Sequence, residues 1–340
     1  MNNDLQEFSH KRFNILTGEW VLVSPHRTKR PWQGQEEETN LEKQPPYDKN
    51  CYLCPGNIRA NGKTNSNYDS VFVFENDFAA LQNDSSSYSL NEGLLKAESE
   101  QGVCKVVCFS PDHSKSLAQM KIHDIEKVIE TWQKEYLELS KKDNINYIQI
   151  FENKGAIMGC SNPHPHGQIW AQSSIPNEVL KKDAQQKKHY ENYQSSLLVD
   201  YLTQELKNDK RILFENDDFV LLVPFWAIWP YETMIIPKQQ QISIKDSTIK
   251  QRHSFAEVIS KITKAYDKLF NCSFPYSSGI HQAPTDGKNN EYWHWHMSFY
   301  PPLLRSVAVK KFMVGYEMFG MPQRDITPEV ACEQLKKLLN

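Results

Sequence analysis

The run Gly159-Cys160-Ser161-Asn162-Pro163-His164-Pro165-His166-Gly167-Gln168-Ile169-Trp170 places two imidazoles and an amide at alternate positions. Prolines fix the backbone on both sides of His164. Side chains two apart in extended chain face one way, so His164, His166 and Gln168 are expected to form a row. A neutral imidazole is a competent nucleophile near neutral pH, and an amide beside it can hold a phosphoryl oxygen. By spacing alone, the His-x-His pair serves equally as a metal site or a structural pair. A second constellation is Cys51-Tyr52-Leu53-Cys54. Two thiolates at this spacing can bind one Zn²⁺ from a tight turn; the spacing also suits a redox dithiol or two unrelated thiols. With His113, after Ser110-Pro111-Asp112, and His164, the cysteines would complete a tetrahedral Cys2His2 set. The stretch Gly56 to Thr64 imitates a phosphate-binding loop. It has five residues between its glycines where the motif needs four, and Pro55 and two Cys precede it rather than a strand, so it reads as a polar loop.

Composition narrows the chemistry. The chain has 340 residues, with 39 Lys+Arg against 42 Asp+Glu and a formal net charge of -3, so there is no basic excess for nucleic acid. Its length allows two domains or one large one. No apolar run reaches the roughly 18 residues of a membrane span, and the start, MNNDLQEFSHKRFN, lacks an apolar signal segment. Seven Cys, an odd count, then suggest reduced thiols and a cytoplasmic protein. With 13 Gly and no G-x-G-x-x-G, dinucleotide binding is disfavoured.

The elements that must position these groups are legible in part. The first 60 residues look irregular. Val71–Phe74, Val103–Phe109 and Tyr147–Phe151 read as strands, and 122–142 as an amphipathic helix. Residues 176 to about 207 read as mostly polar helix with few core positions. A second pass repeats the order: strands at Phe219–Val223 and Thr233–Ile236, a helix marked by Phe255 to Leu269, a strand ending in Tyr300, and a last helix opened by Thr327-Pro328-Glu329. Phe74-Glu75-Asn76-Asp77-Phe78 recurs as Phe214-Glu215-Asn216-Asp217-Asp218-Phe219, and His164-Pro165-His166 echoes His294-Trp295-His296. A repeat of roughly 130–140 residues is domain-sized and implies an internal duplication. The expected class is α+β, two antiparallel sheet units with packed helices, divided as 1–175 and 176–340.

His-Pro-His-Gly-Gln resembles the active-site signature of the galactose-1-phosphate uridylyltransferase family, within the histidine-triad superfamily. The resemblance spans nearly the whole chain. It runs through Ser24-Pro25-His26-Arg27-Thr28-Lys29-Arg30, Cys51-Tyr52-Leu53-Cys54-Pro55-Gly56-Asn57, Phe225-Trp226-Ala227-Ile228-Trp229-Pro230 and Lys310-Lys311-Phe312-Met313-Val314-Gly315-Tyr316-Glu317-Met318. It implies two histidine-triad-like units and transfer in two half-steps. UDP-glucose would give its uridylyl group to His166, and galactose 1-phosphate would take it and leave as UDP-galactose. By the same resemblance Phe74, Asn76, Asp77 and Phe78 would contact uracil and ribose, and Asn153, Ser161 and Gln168 would lie around the phosphates. Arg27 and Arg30 would sit close to the nucleotide. Lys311, Phe312, Val314, Tyr316, Glu317 and Gln323 would line the sugar-phosphate side. The last two groups come partly from a partner subunit in the family, which implies a homodimer. Gln168 stands where hydrolytic relatives carry a third His, which would favour sugar phosphate over water as acceptor.

The resemblance also implies zinc at Cys51, Cys54, His113 and His164, and a second metal, iron or zinc, held by a Glu and three His. His281 and His296 match that second set, but Lys182 and Ser298 stand at the other two positions. His294, on the strand face of His296, is a possible substitute, so an absent, weak or differently ligated second metal is expected. The competing readings are a nucleotidyl hydrolase or nucleotide phosphorylase on the same fold, or an inactive zinc-stabilised homologue.

Overall fold

A computed structural model describes residues 4–29, 44–83 and 88–339. One antiparallel sheet of nine strands runs through both halves of the chain. Its strands in chain order are β1 (Phe72–Glu75), β2 (Gly102–Cys108), β3 (Tyr147–Lys154), β4 (His166–Gln172), β5 (Ile212–Glu215), β6 (Phe219–Leu222), β7 (Thr233–Pro237), β8 (Tyr276–His281) and β9 (His296–Tyr300). In space they lie in the order β1-β2-β4-β3-β8-β9-β7-β6-β5. The duplication is visible in that order. β3 pairs with β8 at the centre, and β4 and β2 on one side answer β9 and β7 on the other.

The helices longer than one turn are α1 (Ile122–Leu139), α2 (Asn177–Tyr193), α3 (Leu197–Asn208), α4 (Ile249–Leu269) and α5 (Pro328–Lys336). The long helices α1 and α4 occupy corresponding places in the two units and pack against one another. Ile125, Val128, Ile129 and Trp132 of α1 share a core with Phe255, Val258, Ile259 and Ile262 of α4, and with Ile148, Ile150, Ile169 and Phe299 of the sheet. Their i, i+3, i+4 spacing in the helices and period of two in the strands are what put them on common faces. α5 starts as its sequence predicts, with Pro328 in the first turn and Thr327 Oγ1 accepting from the Val330 amide.

Several boundaries and elements differ from the sequence reading. β3 extends to Lys154, and α1 ends at Leu139. The polar region from 176 is two helices, and α3 buries Leu197, Leu198, Tyr201 and Leu202, so it carries more core than expected. The stretch read as irregular contains a hairpin, His10–Asn14 with Glu19–Val23, joined in parallel by Gln323–Arg324 from the far end of the chain. β8 has no strong pattern, since Tyr-Ser-Ser-Gly-Ile-His mixes both faces with small residues.

The Phe-Glu-Asn-Asp echo falls on strands with different neighbours. After Asn216 the chain turns and returns as the apolar β6, which pairs with β7. After Asn76 no such return strand joins this sheet among the described residues, and β1 itself pairs with β2. Phe-Val-Leu-Leu-Val suits a buried strand, whereas Ala-Ala-Leu-Gln-Asn does not. The Asn76–Phe78 turn therefore stands two strands from β4, at the mouth of a cavity.

Candidate active site

The sheet face away from α1 and α4 carries the candidate chemistry. Along β4, Gly167, Ile169 and Ala171 are buried and His166, Gln168 and Trp170 alternate with them on the more open face. Gly167 is needed there, because a Cβ would come within 2.8 Å of Phe109 Cζ and 2.9 Å of the Phe151 carbonyl oxygen. His166 Nδ1 lies 2.8 Å from the His164 carbonyl oxygen. A neutral ring must donate there, so Nε2 is left with its lone pair. Burial holds the imidazole below its ordinary pKa, against the opposing pull of that hydrogen bond. Trp170 Nε1 donates to Gln168 Oε1 at 3.0 Å, which leaves the Gln168 NH₂ as a donor for something else.

A cavity of about 310 Å³ opens above this row. Phe74, Asn76, Asp77 and Phe78 line it from one side, Ser161, His166 and Gln168 from the other. A narrower recess beside it adds Asn153 to Ser161, His166 and Gln168. Asn153 Oδ1 accepts from Ser277 Oγ at 2.7 Å, so its amide NH₂ is also spare. Thus eight residues assigned by resemblance meet at one place. Phe78 is 81% exposed, so its ring is no part of the core. The sequence reading missed Tyr52, Leu53, Ala60 and Val106 in the cavity, and Gly159 and Cys160 in the recess. Gly159 at φ 80° was the available signal, a glycine demanded by a left-handed turn just ahead of the row.

His164 does not stay in the row. Its ring turns into a buried cluster with Cys51, Cys54 and His113, whose ligand atoms all lie within 4.8 Å of one another. His164 Nδ1 is 3.6 Å from Cys54 Sγ and 3.3 Å from His113 Nδ1. His164 Nε2 is 2.9 Å from the Ser110 carbonyl oxygen, which fixes the proton on Nε2 and frees Nδ1 to ligate. Burial pushes His164 down to about 4 and the Cys54 thiol up to about 11. A neutral imidazole is ligand-ready, and binding a cation here must expel thiol protons. The donor set and its convergence fit a metal ion.

Residues 1–176 match the sequence model of the galactose-1-phosphate uridyl transferase N-terminal domain, and residues 177–340 match that of its C-terminal domain. The chain belongs to the galactose-1-phosphate uridylyltransferase family. It is 50% identical to the galactose-1-phosphate uridylyltransferase of Haemophilus influenzae over 98% of this chain and 95% of that one. The solved structure of a uridylyltransferase superposes with a TM-score of 0.77 at 26% identity, covering 97% of this chain and 98% of that one. An ADP-glucose phosphorylase from Arabidopsis thaliana also superposes at 0.77, covering 97% of this chain and 99% of that one. At 23% identity that likeness shows the fold alone. Family membership makes this chain a nucleotidyltransferase.

The remaining family positions lie elsewhere. Arg27 Nε pairs with Asp325 Oδ1 at 3.0 Å, and Gln323 Nε2 donates to the same oxygen at 2.8 Å. Lys311 pairs with Glu317 and lies 3.4 Å from Gln323 Oε1. Phe312, Val314 and Tyr316 are exposed nearby in sequence. None of these lines the His166 cavity or its recess. Arg30 lies outside the described residues.

The C-terminal counterpart of the open face is closed. α2 lies against it, and turns Val179, Lys182 and Gln186 inward at helical spacing. Gln186 Oε1 accepts from the His294 amide at 2.9 Å, and His294, His296 and Ser298 are fully buried. His281 and His296 face each other across β8 and β9 with ring centroids 4.9 Å apart. Among the described residues only the Cys51 cluster gathers three or more candidate ligands, so His281, His294 and His296 do not converge on a shared ion. Burial pushes the Lys182 amine down to about 7, opposed by the carboxylates of Glu178 and Glu232. With an amine and a hydroxyl where the family has a carboxylate and an imidazole, the residues present do not fit the second metal.

Proposed function

We propose that the chain transfers UMP from UDP-glucose to galactose 1-phosphate through a covalent uridylyl-His166. His166 Nε2 attacks the α-phosphorus, a P–N bond forms, and the bond to the β-phosphate oxygen breaks to release glucose 1-phosphate. A phosphate oxygen of galactose 1-phosphate then attacks the same phosphorus, the P–N bond breaks to return His166 Nε2 with its lone pair, and UDP-galactose leaves. The observation that carries this is the His166 tautomer, with Nδ1–H on the His164 carbonyl and Nε2 open to the cavity. One imidazole thereby divides a phosphate-to-phosphate transfer into two displacements at one site. The spare amide donors of Gln168 and Asn153 supply hydrogen bonds to phosphoryl oxygens. Gln168 offers no acid or base to activate water, which favours the sugar phosphate.

Cys51, Cys54, His113 and His164 would hold Zn²⁺, whose four protein ligands leave no open position and give it a structural part. Phe74, Asn76, Asp77 and Phe78 take the nucleoside. The protein works in the cytoplasm as a homodimer, in which Arg27 and the Lys311–Gln323 group serve the partner's site. The nucleophile belongs to a domain of residues 1–175, and the closed counterpart to 176–340. The test is incubation with UDP-glucose labelled at the α-phosphorus. Label held on the protein, lost in His166→Ala and discharged by galactose 1-phosphate, is the expected result. Free UMP formed at the transfer rate would mark a hydrolase, and no reaction an inactive homologue.

A further inference from the structure

The polar loop that imitates a phosphate loop has no part in the transfer set out above, yet it ends at the nucleoside cavity. Its backbone is tied to the Cys51–Cys54 turn. Asn57 Nδ2 donates to the Asp48 and Cys51 carbonyls at 2.9 and 2.8 Å, and Asn65 Nδ2 to those of Tyr52 and Cys54 at 2.9 and 3.0 Å. The loop closes on itself through Arg59 N to Lys63 O at 2.8 Å and Gly62 N to Arg59 O at 2.9 Å. Arg59 is thus held at a fixed place, with Ala60 beside it in the cavity wall.

The Arg59 side chain is 9% exposed. Its Cζ stands 4.2 Å from the centroid of the Phe74 ring, and Nη1 stands 3.4 Å from Asp77 Oδ1. Asn61 Nδ2 donates to the same Oδ1 at 2.6 Å. Arg59 Nε and Nη1 are buried and, among the described residues, have no hydrogen-bond partner. A guanidinium keeps its charge at any working pH, and burying unbonded donors is unfavourable unless other contacts offset it. Here the offset is the Asp77 charge and the Phe74 ring face. Both partners line the cavity, whereas Arg59 does not.

We propose that Arg59 is a positioning residue for the nucleoside end of a nucleoside diphosphate sugar. It packs against the ring of Phe74, which lines the cavity for a planar base, and with Asn61 it engages Asp77 Oδ1, leaving Oδ2 for ribose hydroxyls. The inference rests on the reading of this cavity as the nucleotide site.

Arg59→Met keeps the apolar stem and removes the charge. The expected result is about a tenfold rise in the Kd for UDP by calorimetry and in the KM for UDP-glucose. The kcat and the KM for galactose 1-phosphate should stay within about twofold, because the UMP is already covalently held when the acceptor binds. Arg59→Lys, which restores the charge without the planar stack, should recover part of the affinity. In an Asp77→Asn background, Arg59→Met should add little, since the two act through one contact. Unchanged UDP affinity in a folded Arg59→Met, a fall in kcat at unchanged affinity, or additive effects in the double variant would overturn the proposal. Should Arg59→Met fail to fold, Arg59→Lys decides, by weakened or unchanged UDP affinity. Calorimetry with UDP needs no turnover. Arg59-dependent binding by a chain that forms no uridylyl-protein would sink the transfer reading and leave this one standing.

Discussion

At the scale of single residues, the site works by leaving the right atom free. His166 gives Nδ1–H to a carbonyl and keeps Nε2, while Gln168 gives Oε1 to an indole and keeps NH₂. Gln168→Ala should lower kcat by about 10²–10³ with little change in the KM for UDP-glucose, as expected for a donor used chiefly in the transition state. Trp170→Phe removes the indole N–H and lets the amide turn over, so steady-state rates should fall by about tenfold although Trp170 lines neither the cavity nor the recess. A wild-type rate in Trp170→Phe would show that the indole does not orient Gln168. Sequence spacing was enough for His166 and Gln168, because a period of two is a backbone property. The period of two alone would keep His164 in the row; its ring instead joins the cysteines, as the Cys2His2 reading had it, since a ring's direction before the strand begins is set by packing.

At the scale of elements, the two units share a plan and differ in cover. α2 lies on the C-terminal face with polar residues inward, and among the described residues no helix does so over β4. The sequence showed residues 176 to about 207 as helical and poor in apolar positions, but which face the first of the two helices there would close depends on tertiary contacts. The hairpin at His10–Asn14 was not legible, because its third strand arrives from more than 300 residues away and no local pattern carries that pairing. Two substitutions test how tightly elements hold the site. Gly167→Ala pushes a methyl group at Phe109 and the Phe151 carbonyl, and should destabilise by about 1–3 kcal/mol in chemical denaturation. Cys54→Ser should lower the bound zinc measured by atomic absorption and the melting temperature together, because the metal's binding energy is available only to the folded site. Full zinc content in that variant would mean the metal sits elsewhere.

For the whole molecule, a buried ion network joins distant parts of the chain. Arg12, from the first hairpin, pairs with Glu329 of α5 at 2.9 Å, and Arg211 bridges Glu329 at 2.6 Å to Glu205 of α3 at 2.9 Å. Burial alone would raise Glu329, but the two guanidinium groups outweigh it and hold the carboxyl at about 2, against an ordinary 4.5. A carboxyl with a depressed folded pKa adds stability that is complete above its unfolded pKa and lost as pH falls through the folded one. Stability should therefore drop between about pH 4.5 and about pH 2, and Glu329→Gln should flatten that part of the curve at lower overall stability. An acid profile identical to wild type would show that other carboxyls govern it.

The central pairing of β3 with β8 bears on how this protein can be divided. Five residue pairs, from Tyr276 with Lys154 to Ile280 with Ile150, join the halves across the middle of the sheet. Cutting the connection before α2 would bare a row of unpaired amides and carbonyls on β3 in one fragment and on β8 in the other. Either fragment made alone would present a raw edge that invites aggregation. Made together, the two fragments have complementary edges, so co-expression should rescue a soluble, active pair as a split enzyme.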